Sequence, residues 1–241
     1  MNRLLIILVI LMQALIISSC ATQVNVLKSL SNAKKSIVKI EAHMQIAPCD
    51  KETSVCDNYR LYATGSGSVV IHDRKKAILT AAHICKQTRF GLFMEEADNH
   101  ILLKAIDRDD KEYIIEVIKY NINADICILK SVSGTLEMSF LKMSTKAPEY
   151  AEIVYNLAGP LGVMDGEMVP IFRGSYFGKI GNDAFYGIPT IGGSSGSPIL
   201  NSKGELVGMI HSVHVHFHHI ALSASYEELW NFLTIANNHT L

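Results

Sequence analysis

The chain is short of prolines, of net charge and of long apolar runs. Six prolines and 16 glycines among 241 residues, against 49% hydrophobic residues, exclude a disordered chain and supply a full core. The 22 Lys and Arg nearly cancel the 23 Asp and Glu. With a net charge of −1 and no basic run, there is no electrostatic case for nucleic acid as a partner. No internal repeat is visible, and the one low-complexity tract is a histidine run near the C-terminus.

The most apolar stretch, Leu4 to Ile17, is 14 residues long and broken only by Gln13. It follows the short basic start Met1-Asn2-Arg3, a pattern that suits a signal peptide and is short for a membrane-spanning helix. The run ends Ile17-Ser18-Ser19-Cys20. This resembles a bacterial lipoprotein signal, which implies lipidation at Cys20 and a membrane anchor. An ordinary cleaved signal, or an uncleaved anchor stretched over Ser18 to Ala21, would also export the chain. The expected location is the cell envelope, as an anchored lipoprotein, or the periplasm or medium. Residues 21–35 read as a tether with room for one short helix.

From Ser36 onward, short β-branched segments alternate with polar turns. Strands are expected at Ser36–Ala42, Thr64–His72, Ala77–Thr80, Ile101–Ile106, Tyr113–Tyr120 and Asp125–Lys130. After the irregular piece Ser131–Glu149, more follow at Glu152–Leu157, Met168–Phe177, Ala184–Gly187, Pro198–Asn201, Leu206–Val215 and His219–Leu222. The spacing argues for an all-β barrel or sandwich, not for βαβ units. Ser225, with Glu228 three residues on, is a capping box for a C-terminal helix over about 226–237, burying Leu229, Phe232, Leu233 and Ala236.

The stretch that organises the chemistry is Gly192-Gly193-Ser194-Ser195-Gly196-Ser197-Pro198. Glycines permit a tight turn and close backbone approach. Such a turn can expose a serine hydroxyl and aim successive N–H groups at one point, as nucleophilic catalysis requires. Alone, it reads equally well as a flexible Gly/Ser loop. Two distant segments, Thr80-Ala81-Ala82-His83 and Asp125-Ile126-Cys127-Ile128-Leu129, supply a base and a carboxylate.

Together these motifs resemble those of the trypsin-like, chymotrypsin-fold serine endopeptidases, in the bacterial branch of glutamyl endopeptidases and HtrA-type protease domains. The order His, Asp, Ser and the separations of 42 and 70 residues fit that family. The resemblance runs from about Ser36 to the C-terminus. It implies two six-stranded antiparallel β-barrels, about 36–130 and 151–223. It selects Ser195 as nucleophile over Ser194 and Ser197, with His83 as general base, Asp125 as its orienting acid, and the N–H groups of Gly193 and Ser195 as oxyanion hole. It implies peptide or protein substrates, no cofactor and a monomer. Only eight residues follow Leu233, so the extra peptide-binding domain of HtrA-type proteins is not expected.

By the same resemblance, Ile188–Ile191 and Ile210–His214 would wall the specificity pocket, with Thr190, Ile210, His211 and Ser212 as its lining. Pro189 stands where an acid would receive arginine or lysine. Thr190 matches a threonine of glutamyl endopeptidases. Their carboxylate-binding histidine falls at Ile210, with His211 one position late. Glutamate and a small or medium apolar residue both stay open at P1.

His214, His216 and His218 alternate with Val215 and Phe217, so on one strand they would share a face. That supports a competing reading, a non-catalytic lipoprotein binding a metal or partner there, although no carboxylate or cysteine completes a site in the run. No metal site is assigned. Beyond Cys20 there are four cysteines. Cys49 and Cys56 share a short loop and are expected to pair, with Cys85 and Cys127 as reduced core residues.

Overall fold

The computed structural model describes residues 23–45, 59–85, 88–89, 92–93, 101–165, 168–214 and 216–235. The signal segment with Cys20, and the expected Cys49–Cys56 pair, lie outside the described residues.

Alternating apolar residues build the first barrel. In β1 (Ile37–Gln45), Ile40 and Ala42 point inward, and in β7 (Glu112–Asn121), Tyr113 and Ile115 do so while Glu112, Ile114 and Glu116 face out. The other members are β2 (Tyr59–His72), β3 (Lys75–Thr80), β6 (Ile101–Ile106) and β8 (Ile126–Ser131). They close in the order β1-β2-β3-β8-β7-β6. The β2–β3 hairpin turns on Asp73 and Arg74, both at positive φ (48° and 64°), the backbone of a two-residue turn whose twist matches its strands. A small pair, β4 (Thr88–Arg89) and β5 (Leu92–Phe93), stands apart.

The second barrel closes as β10-β11-β14-β13-β12-β9. Its strands are β9 (Ile153–Leu157), β10 (Ile171–Ile180), β11 (Asp183–Tyr186), β12 (Pro198–Leu200), β13 (Leu206–His214) and β14 (Phe217–Ala224). Val154, Ala184, Tyr186, Ile188, Ile199, Val207, Ile210 and Ala221 fill it. The first barrel's core runs on through Leu157, Met164, Leu200, Leu206 and Met209, so the two barrels share an apolar seam.

Helices close the ends. The C-terminal helix (Tyr226–Thr234) starts on Ser225, whose hydroxyl accepts from Glu228 N–H at 3.3 Å, and it buries Leu229 and Phe232. The helix over residues 23–33 lies in the segment read as a tether with room for one short helix. Leu30 and Ala33 are buried in the common core, and the helix backs onto the Gly204 turn. Its few apolar residues carry too weak a period to reveal this; the barrel supplies the surface that orders it. Among the described residues no helix is long and apolar enough to cross a membrane.

Candidate active site

The first component is delivered by the end of β3. That strand stops at Thr80, and a single helical turn, Ala82–Cys85, follows. A helix start leaves N–H groups without intrahelical partners, and Asp125 fills one. Its Oδ1 accepts from the His83 N–H at 2.8 Å, while its Oδ2 lies 2.6 Å from His83 Nδ1. Asp125 is set by its own tight turn. Asn121 Oδ1 accepts from the N–H groups of Asn123 and Ala124, the Asp125 N–H donates to Ile122, and the Asp125 carbonyl accepts from Ala82. The turn places Asp125 at φ 50°, a left-handed conformation that aspartate tolerates better than most residues. Burial pushes the Asp125 carboxyl up, but the hydrogen bonds and charge of His83, with a smaller contribution from His211, hold it below its ordinary value.

The second component is the glycine-serine turn. Gly193 and Gly196 both sit at positive φ, 90° and 85°. A side chain on Gly193 would strike the Leu161 N–H, and one on Gly196 would strike the Ser66 carbonyl and Thr80 hydroxyl. Ser195 is half-buried, whereas Ser194 and Ser197 are buried, and Ser197 accepts from Asn156 at 2.7 Å. The turn is joined to the His83 strand through Ser66. The Ser66 N–H donates to the Ser195 carbonyl at 2.8 Å, and Thr80, three residues before His83, donates to the Ser66 carbonyl at 2.8 Å. The structure thus brings the His83–Asp125 pair and the Ser195 turn to one seam between the barrels.

The expected specificity residues are placed less uniformly. Thr190 is buried, and its hydroxyl donates to the Ile188 carbonyl at 3.2 Å. Ile210 corrects the expectation of a pocket wall. Its side chain is wholly buried in the second barrel's core and offers no surface to a substrate. The His211 side chain is 12% exposed, with Nε2 3.9 Å from Asp183 Oδ1. Burial pushes its imidazole down, against the opposing pull of Asp125 and Asp183. Ser212 is exposed.

The histidine run does not form one strand face. β13 ends at His214, which pairs with Phe217 across a tight turn, so His214, His216 and His218 fall on a strand end, a turn and the returning strand. The His214 ring packs 5.3 Å from Phe217 and its Nδ1 accepts from His216 N–H. Among the described residues no three His, Cys, Asp or Glu side chains are grouped to hold a metal.

The cysteine expectation is also corrected. Cys85 and Cys127 are joined in a disulfide, with Cα atoms 6.6 Å apart. Thr80 pairs directly with Cys127 between β3 and β8, and the helical turn after Thr80 swings Cys85 back over that pair. That distance lies inside the range a disulfide bridges.

Sequence reasoning passed over Ser66. Its signal was the run Thr64-Gly65-Ser66-Gly67-Ser68, since glycine inside a strand marks close approach. A side chain at Gly67 would lie 2.9 Å from Ile40, and one at Gly65 would lie 3.1 Å from Ile84.

Comparison with known proteins agrees with the fold. The family model for the trypsin-like peptidase domain matches residues 65–209, more than half of the chain. Among solved structures, the chain is similar to Rv3671c from M. tuberculosis H37Rv, an inactive Ser343Ala mutant, at TM-score 0.62 and 15% identity, covering 85% of this chain and 88% of that one. It is also similar to a serine endoprotease from Yersinia pestis, at TM-score 0.63 and 14% identity. There 86% of this chain is covered, and it spans 64% of that protein. No curated protein matches the chain by sequence.

Proposed function

The chain belongs to the trypsin-like peptidase domain family, and on that footing we propose that it is an exported serine endopeptidase working through Ser195, His83 and Asp125. The observation that carries the reading is the pair of hydrogen bonds between Asp125 and His83, beside a glycine turn that presents Ser195. Ser195 Oγ attacks the peptide carbonyl. His83 takes its proton, and that proton later goes to the leaving amine. Asp125, bound at Nδ1, keeps the proton-accepting nitrogen of His83 turned to Ser195 and stabilises the imidazolium. The N–H groups of Gly193 and Ser195 receive the oxyanion. Water then hydrolyses the acyl-enzyme by the same route. A fluorophosphonate probe tests this: it should label the wild type and fail on Ser195→Ala. Equal labelling of both proteins would sink the reading.

The P1 residue we propose is small or medium and apolar. The two polar groups that would read glutamate are both occupied, Thr190 by the Ile188 carbonyl and His211 by burial beside Asp183. Export, and lipidation at Cys20, rest on the N-terminal sequence. A palmitate analogue fed to cells should mark the wild type and not Cys20→Ala.

A further inference from the structure

Ser66 sits in the middle of β2, on the first barrel, and is fully buried. Its hydroxyl donates to the Gly193 carbonyl at 2.8 Å and accepts from the Gly159 N–H at 3.0 Å. Its N–H donates to the Ser195 carbonyl and its own carbonyl accepts from Thr80. One residue therefore holds the nucleophile turn, the 159–162 turn and the strand that delivers His83.

A peptide unit is planar, so pinning its carbonyl also fixes the N–H on its other side. Leu161 N–H holds the Gly192 carbonyl at 2.7 Å, which turns the Gly193 N–H the opposite way. Ser66 holds Gly159, two residues before Leu161, and it holds the next carbonyl of the turn, that of Gly193, directly. Glycine-rich turns lose the most conformational freedom on ordering and do not stay in one geometry unaided. A side chain added at Gly192 would meet nothing within 4 Å, so local packing does not fix that position.

Resting on the peptidase reading above, we infer that Ser66 is a positioning residue for the oxyanion site. By holding the Gly193 carbonyl and the Gly159 N–H, its hydroxyl keeps the Gly193 N–H, beside that of Ser195, in the direction that receives the carbonyl oxygen of a scissile bond. A merely structural serine would change stability and leave the chemical step alone. A positioning serine changes the step whose charge those N–H groups meet.

The test uses the full chain as wild type, Ser66→Ala and Ser66→Cys, on one peptide substrate and with a peptide aldehyde inhibitor. The aldehyde's adduct with Ser195 places an oxygen in the oxyanion site and mimics the transition state. In Ser66→Ala, kcat should fall about 10- to 100-fold, somewhat less than when an oxyanion donor is itself removed. KM should stay within about twofold, aldehyde affinity should fall with kcat/KM, and the shape of the pH profile should be unchanged. Ser66→Cys, a weaker donor, should fall between. A folded Ser66→Ala with wild-type kcat, or a loss confined to KM, overturns the inference. If Ser66→Ala does not fold, Ser66→Cys is judged by the same readings. Fluorophosphonate labelling of the wild type is measured first, so that failure of the peptidase reading is seen separately.

Discussion

Asp125 grips His83 at two points, accepting from its backbone N–H with one oxygen and meeting its ring Nδ1 with the other. One bond starts the helical turn that carries His83, and the other fixes the imidazole. Fold and proposed chemistry thus depend on the same carboxylate.

Asp125→Asn separates those tasks. The amide oxygen can still accept from the His83 N–H, but its NH₂ faces Nδ1 and forces the other tautomer. Peptide hydrolysis should fall about 10⁴-fold in kcat, with a circular dichroism spectrum like the wild type. A loss of under tenfold would remove Asp125 from the mechanism.

Acid should weaken the fold in two stages. The His211 pKa is lowered in the fold, so the unfolded chain takes up its proton first and stability is lost as pH falls below about 6.5. Asp125, Asp183 and His83 are the charged groups acting on it. The Asp125 pKa is lowered too, so its contribution is complete above about pH 4 and lost below that. Thermal melts across pH should show His211→Gln with a flatter limb as pH falls below about 6.5. Asp125→Asn should flatten the limb below about pH 4. Slopes equal to the wild type in both would refute the assignment.

The disulfide closes a separation of 42 residues. The chain-entropy model gives it about 4 kcal/mol, or about 10 °C in Tm for a chain of this size. Replacing both Cys85 and Cys127 by alanine should lower Tm by that order. Mass mapping of the unreduced protein should recover a linked Cys85–Cys127 peptide; alkylated Cys85 and Cys127 would contradict the structure.

Gly196→Ala tests the seam between barrels. A methyl there meets the Ser66 carbonyl and Thr80 hydroxyl at a φ of 85°. It should abolish activity and cost more than about 2 kcal/mol. Gly178→Ala is the control, since it has φ 116° but nothing within 4 Å. It should cost the backbone strain alone, about 1–3 kcal/mol, and leave kcat unchanged. Equal effects of the two substitutions would mean that the collision is unimportant.

Cleavage of a peptide library should favour small or medium apolar residues at P1, and His211→Ala should leave that profile in place. A profile led by glutamate and weakened in His211→Ala would return His211 to the pocket.

Strand positions, the helix cap at Ser225 and the motifs around His83, Asp125 and Ser195 were legible in the sequence. Each is a local pattern, a period of two, a cap spacing or a short motif, and local patterns survive without a third dimension. What only the tertiary structure decided are contacts between segments far apart in the chain. Cys85 meets Cys127 because β3 pairs with β8 and a helical turn doubles back over that pair. Residues 23–33 dock because a finished barrel offers Leu30 and Ala33 an apolar surface. Ile210 goes to the core and His211 to the side of Asp183 by strand register, where a shift of one residue reverses which face a side chain takes. Ser66 shows its role only where two closed barrels press a serine of one against a glycine turn of the other.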